Sequence, residues 1–291
     1  MLAVVLSIAA AAAFAASAMF IDSVSGRVRP LQLSRWQMSL AFLMTAVIVV
    51  VTGGWRSLDL EMILWLTASS ASGIMVGSLT YIATIQYTGP RISALLFTTA
   101  SPFALALGFG FRGETVSPLQ AAGVGLIVAG IALAVMGPKQ DEGARTPKPL
   151  WIGIGLGLVT SFAQALGSLL ARPAMLEGAD PVAAMVVRSG TGALFFIALL
   201  ALPAFRPAGL PSRVEVRQIG FSALAGMVIG MSFLMAALAR GDVGIVTTLS
   251  STTPILILPM VWAVYCRMPG PLAWVGAALA VLGTALISAT S

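Results

Sequence analysis

The stretch from Met1 to Ile21 carries no charged residue, and nine further apolar runs of similar length follow it. A helix crossing the hydrocarbon core of a bilayer needs roughly 20 such residues, since each adds about 1.5 Å to a path of about 30 Å. Unpaired backbone is too costly in hydrocarbon, so helices, which satisfy their own N–H and C=O groups, are the natural reading of unbroken apolar runs. The runs are 1–21, 36–53, 60–85, 91–111 and 117–136, then 150–171, 182–204, 216–238, 243–265 and 270–289. Gly53-Gly54, Thr88-Gly89-Pro90, Gly137-Pro138 and Pro269-Gly270-Pro271 fall between runs, as helix-breaking residues should. Only 9% of residues are charged, against roughly 25% in soluble domains, too few to cover a water-facing surface. The first run lacks a basic leader, and Ser17-Ala18-Met19 is a poor cleavage site, so it reads as a span and not a signal peptide. The sequence therefore predicts an all-α membrane protein of ten transmembrane helices, with no room for a folded soluble domain.

Composition also removes several kinds of chemistry. Cys266 is alone, which excludes an internal disulfide, and there is no histidine to serve as metal ligand or general base near neutral pH. No Ser–His pair and no paired intramembrane Asp is available, so neither an enzyme nor a cofactor or metal site is predicted. The net charge of +6 is scattered over the connections without a basic run, which argues against nucleic acid as a partner. Gly153-x-Gly155-x-Gly157 lies inside a span and follows no strand, so it is not a dinucleotide loop. The acidic residues Asp22, Asp59, Glu61, Glu114, Asp180 and Asp242 all sit at span ends or in connections, which argues against a mid-membrane carboxylate as proton carrier.

The chain repeats. Shifted by 152 residues, Pro102 falls on Pro254, Thr98-Thr99 on Ser250-Ser251, Ser101 on Thr253, Gly89 on Gly241 and Tyr81 on Phe233. Shifted by 153, Arg35 meets Arg188, Pro118-Leu119 meets Pro271-Leu272, Gly123 meets Gly276 and Gly130 meets Gly283. The expected units are a five-helix repeat over 1–136, a polar linker over 137–149 and a second five-helix repeat over 150–291. Five is odd, so the second half enters the membrane inverted, with a pseudo-two-fold axis in the membrane plane, an arrangement found in many transporters.

In its order of elements the chain resembles the drug/metabolite transporter superfamily, and most closely its EamA-type members. The elements are an Arg early in the second span (Arg35, Arg188), a Ser/Thr-rich fourth span with an internal Pro, a Gly/Glu turn (Gly113-Glu114), and a Gly-spaced fifth span. Two positions depart from the pattern: Arg267 stands near the place where a Glu is often found, and the first span lacks the Trp common there. The resemblance implies a ten-helix transporter, often an exporter, whose third, fourth, sixth and ninth spans supply much of the cavity wall. It implies both termini in the cytoplasm.

Candidate site residues follow from backbone chemistry. Proline has no N–H, so Pro102 is expected to free the carbonyl of Thr98 and Pro254 that of Ser250, both beside hydroxyls. The substrate site expected from this is Tyr81, Thr98, Thr99, Ser101, Gln164, Ser250, Ser251 and Thr253, with Pro102 and Pro254 as the helix breaks. The competing reading is that these groups satisfy a kinked helix or bond between helices. Arg35 and Arg188 are candidates for gating or for contact with an anionic group, or for a structural role. Gly123 and Gly130, and Gly276 and Gly283, mark close-packing faces on the fifth and tenth spans, within one chain or between the two chains of a homodimer.

Loop charges address orientation. The odd-numbered connections carry ten Lys and Arg residues and the even-numbered ones four, leaving out Arg35 and Arg188. Basic connections favour the cytoplasm, which places both termini outside, opposite to what the resemblance implies. The expected function is secondary transport of a small polar or amphipathic metabolite, such as an amino acid, across the cell membrane. The alternative is a flippase for a lipid-linked substrate.

Overall fold

The protein is described by a computed structural model covering residues 2–112, 117–136, 149–207, 209–239, 249–250, 252–266 and 268–289. The Gly113-Glu114 turn, most of the linker, Arg240 to Asp242, Ser251 and Arg267 lie outside the described residues. Every regular element among the described residues is helical. Among the described residues, seven helical stretches are long and apolar enough to cross a membrane, and shorter apolar helices cover Thr253–Tyr265 and Pro271–Ile287.

Helix ends follow local chemistry. The second span, Pro30–Thr52, begins with Pro at its first turn, where no N–H is needed, and stops at Gly53 with φ 75°. Asp59 caps the third span by accepting from the Met62 N–H. Asp180 caps the seventh, Pro181–Ala198, by accepting from Val182 and Ala183. Ser212 and Glu215 form a reciprocal capping box at the start of the eighth. Gly89, with φ 84° and ψ 166°, divides a continuous helical stretch into third and fourth spans, as the Thr88-Gly89-Pro90 sequence predicts.

The third and eighth spans depart from regular α-helix. Ala71–Val76 and Ala223–Gly230 are π-helical segments, one in each half. Gly73-x-x-x-Gly77, which runs to the first residue after one segment, and Gly226-x-x-x-Gly230, within the other, match each other in the repeat.

The inverted repeat is visible in the packing. The third span lies antiparallel on the sixth: Ser69 donates to the Gly167 carbonyl at 2.6 Å, Ser72 to Ala163 at 2.9 Å, and Thr160 to Thr80 at 2.8 Å. The symmetry-related pair is the eighth span on the first, where Gly226 packs on Ser17 and Gly230 on Phe14. The second and seventh spans also run antiparallel, with Gly190 against Phe42 and Gly192 against Met38 and Ile74.

The glycine faces of the fifth and tenth spans are turned on each other within one chain. A Cβ built on Gly130 would lie 2.5 Å from the Gly276 carbonyl oxygen, and one on Gly123 would lie 2.6 Å from that of Gly283. Those faces are covered, so they are not available to a second copy.

Candidate functional site

The fourth span breaks where the sequence places its Ser/Thr cluster. Helix ends at Phe97, turns through Thr98 and Thr99, and resumes over Ala100–Arg112. The carbonyl of Thr98, expected to be free because of Pro102, instead accepts the Ser101 N–H at 3.2 Å, because the turn tightens around it. The Thr98 and Thr99 hydroxyls donate to the Leu95 and Leu96 carbonyls at 2.6 and 2.7 Å. Each hydroxyl then has only acceptor lone pairs left. Ser161 of the sixth span also donates to the Leu96 carbonyl, at 2.8 Å, and fixes the break against the second half. Tyr81 stands beside this break, its ring edge-on to Phe97 at 5.8 Å. Ser101 and Pro102 follow it, half-buried.

In the ninth span the equivalent turn precedes Thr253–Tyr265. The Ser250 carbonyl, the partner of Thr98 in the repeat, accepts from the Thr253 hydroxyl at 3.0 Å. Thr253 and Pro254 are buried, and Thr253 reaches the Ala11 carbonyl of the first span at 3.5 Å. The two breaks thus pack on opposite first spans, the fourth on the sixth and the ninth on the first.

Gln164 and Arg188 come together elsewhere, at the π-helical segment of the third span. A Cβ on Gly73 would lie 3.0 Å from Arg188 Nη2 and 3.8 Å from Gln164 Oε1. The backbones touch there as well: a Cβ on Gly167 would meet Gly73 Cα at 2.8 Å. Gly73 has ordinary helical geometry, so its missing side chain serves space and not conformation. Arg188 is completely buried, and none of its three guanidinium nitrogens has a hydrogen-bond partner among the described residues. Its backbone is held, since Ser70 donates to the Arg188 carbonyl at 2.6 Å. Insertion assays put an Arg at a helix centre at roughly 2.5–3.5 kcal/mol, and buried polar groups are nearly always paired.

Arg35, the repeat mate of Arg188, has a different fate. Its Nε donates to the Phe196 carbonyl at 2.9 Å and its Nη2 to that of Phe205 at 3.4 Å, so it ties down the end of the seventh span. The structure keeps Arg35 apart from the other candidates.

Two features were not foreseen from the sequence. On the side of the odd-numbered connections, Tyr265 at the end of the ninth span donates to the buried Asp22 carboxylate at the end of the first. Gln86 donates to the Val28 carbonyl at 2.8 Å at the same end. On the opposite side an open depression of about 380 Å³ lies between the halves, lined by Leu2, Leu6, Asp180, Pro181, Val182, Ser232 and Phe233. Beneath it Met62, Met175, Met185, Met231 and Met235 form a buried cluster.

Comparison with known proteins agrees with this architecture. One solved structure, titled only "Crystal structure of protein", superposes with a TM-score of 0.72 at 16% identity, over 98% of this chain and 95% of that one. At that identity the likeness concerns the fold alone. No curated protein sequence matches the chain. The sequence profile of the EamA-like transporter family, part of the drug/metabolite transporter superfamily, matches residues 1–136 and again 151–289. Matched over both halves, the chain belongs to the EamA-like transporter family.

Proposed function

We propose that the protein is a secondary transporter that exports a small polar or amphipathic metabolite, an amino acid or a related compound, by alternating access. The observation that carries this reading is the reciprocal packing of the halves. The third span of each half rests its π-helical segment on the first span of the other. Glycines line both contacts, opposite Gly167 and Ala163 in one and Ser17 and Phe14 in the other, so few bulky side chains must repack when one half tilts on the other. The polar tie between Asp22 and Tyr265 at one end, and the open depression at the other, suit one stage of such a cycle. The broken fourth and ninth spans supply hydroxyl lone pairs that suit a donor such as an ammonium group. The excess of basic residues in odd-numbered connections supports a cytoplasmic position for the tied end, with both termini outside.

The test is counterflow of labelled amino acids in proteoliposomes. Wild-type protein is expected to exchange at least one of them, and Thr99→Leu and Ser251→Leu to lower that exchange at least tenfold. Unchanged exchange in both variants would remove the broken helices from the site. Movement of a lipid-linked substrate with no amino-acid exchange would replace the reading with that of a flippase. A C-terminal fluorescent-protein fusion tests the orientation: strong fluorescence from the cytoplasmic side would reverse it.

A further inference from the structure

We infer that Arg188, whose guanidinium is seated beside Gln164 in the space left by Gly73, is a binding site for a carboxylate of the transported molecule. This rests on the transporter reading and narrows it to substrates that carry an organic acid group.

A guanidinium is always charged in proteins and presents a planar fork of donors suited to a carboxylate. At Arg188 all three nitrogens are buried and without a protein partner among the described residues. Among the charged groups, Asp180 lies on the same helix, but eight residues away, about 12 Å along the axis. Its Oδ1 accepts from the Val182 and Ala183 N–H groups at 3.0 and 2.9 Å. Arg35 already serves carbonyls at the far end of the helix. The elements packed around the guanidinium, 70–77 and 160–171, contain no acidic residue. The protein therefore surrounds a cation without supplying its anion.

The surroundings are built to admit the guanidinium itself, whose Nη2 fills the space a side chain at Gly73 would take. A methyl group at Gly73 would press on Nη2, and the π-helical turn carries that glycine. Gln164, half-buried beside it, turns its Oε1 toward Gly73 and donates from Nε2 to Ser168 at 3.4 Å; rotation of the amide would present its N–H groups to the second oxygen of a carboxylate. The nearest opening is the depression on the side of the even-numbered connections, whose rim carries the Asp180 carboxylate and which stops short of Arg188. Pro181, which lines the depression, lies seven residues before Arg188, so the two share a face of the seventh span about 10 Å apart. Met185 stands between them inside the methionine cluster, and unbranched side chains of that kind can repack around a passing ligand.

The experiment is thermal unfolding of the purified full chain in detergent. L-phenylalanine, L-leucine and L-threonine are each compared with their carboxamides, benzoate with benzamide, and sodium chloride serves as the inorganic anion. At least one acid is expected to raise the wild-type unfolding temperature by 2 °C or more (roughly) while its amide twin does not, because a ligand stabilises the state it binds. Arg188→Gln is expected to lose that response and, freed of an unpaired charge, to melt no lower than wild type. Equal shifts from acid and amide, no shift from any acid, or a response retained in Arg188→Gln would overturn the inference. An equal shift from chloride would overturn its substrate clause. The wild-type comparison of acid with amide stands even if the variant does not fold. Exchange of the amides but not of the acids in proteoliposomes would leave the transporter reading and remove the carboxylate site. Acid binding lost in Arg188→Gln with no exchange of any compound would do the reverse.

Discussion

Replacing Gly130 with alanine adds one methyl group in the tightest contact of the fifth span. The new Cβ would stand 2.5 Å from the Gly276 carbonyl oxygen and 2.9 Å from the Ala280 nitrogen. Carbon–oxygen contacts normally settle near 3.3–3.6 Å, so the overlap is about 1 Å. Both neighbouring atoms belong to helix backbone, so no side chain can turn away. The fifth and tenth spans must separate, and the matching Gly123–Gly283 contact two turns away resists that. Overpacking of this kind costs roughly 1–3 kcal/mol, while alanine in place of glycine in a helix returns about 1 kcal/mol. The internal control is Gly125, on the same helix but exposed, with nothing within 4 Å of its Cβ position. There only the propensity term acts. With about 2–4 °C per kcal/mol for chains of comparable size, Gly130→Ala is expected to melt several degrees below wild type. Gly125→Ala is expected to melt at or above it. Melting curves followed by size-exclusion fluorescence in detergent measure both. Shifts of the same sign and size would refute the claim that these glycines exist for backbone contact.

Two further outcomes are expected. Arg35→Met removes charged donors from the Phe196 and Phe205 carbonyls; such bonds are each worth roughly 1.5–3 kcal/mol, so the variant should lose stability while its apparent affinity for substrate is unchanged. A raised KM at unchanged melting temperature would contradict this. Tyr265→Phe removes the donor to Asp22, and a loss of about 1.4 kcal/mol shifts an equilibrium tenfold. A cysteine placed at Ser101 in a Cys266→Ser background should then react about tenfold faster with a water-soluble maleimide applied from the odd-connection side. An unchanged rate would show that the tie does not hold that side closed.

The parts of this structure that were legible in the sequence are those decided by local chemistry or by apolar length. Gly53 and Gly89 end helices because their positive φ suits no other residue so well, and Pro30 and Pro181 begin them because a first turn needs no N–H. The helix break before Pro102 was predictable for the same reason. Its details were not, because the Ser101 N–H is a neighbour that competes for the Thr98 carbonyl. Arg35 and Arg188 occupy the same place in the repeat, yet one meets carbonyls and the other meets none. That difference lies in which helix packs alongside, information that a single sequence does not carry. The contact between Asp22 and Tyr265 spans 243 residues and has no local signature. The π-helical segments gave no periodic signal, because a helix apolar on every face has no phase to lose. The paired Gly73-Gly77 and Gly226-Gly230 spacings were the one trace of them.

Those segments also bear on how two copies of a five-helix unit stay alike. Gly73 and Gly77 match Gly226 and Gly230 at a spacing of 153, whereas Tyr81 matches Phe233 at 152, so one copy has gained or lost a residue within a single helix. In a regular α-helix that change would turn every later side chain by about 100° and present lipid-facing residues to the core. A loop could absorb it, but the bilayer interior has none. A π turn holds more residues than an α turn, and so can take up the difference locally. The difference falls between Gly77 and Tyr81 in one half and between Gly230 and Phe233 in the other, directly after the wide turns at Ala71–Val76 and Ala223–Gly230, so the halves change length mid-membrane beside the one place in each helix where the α-helical phase is already relaxed.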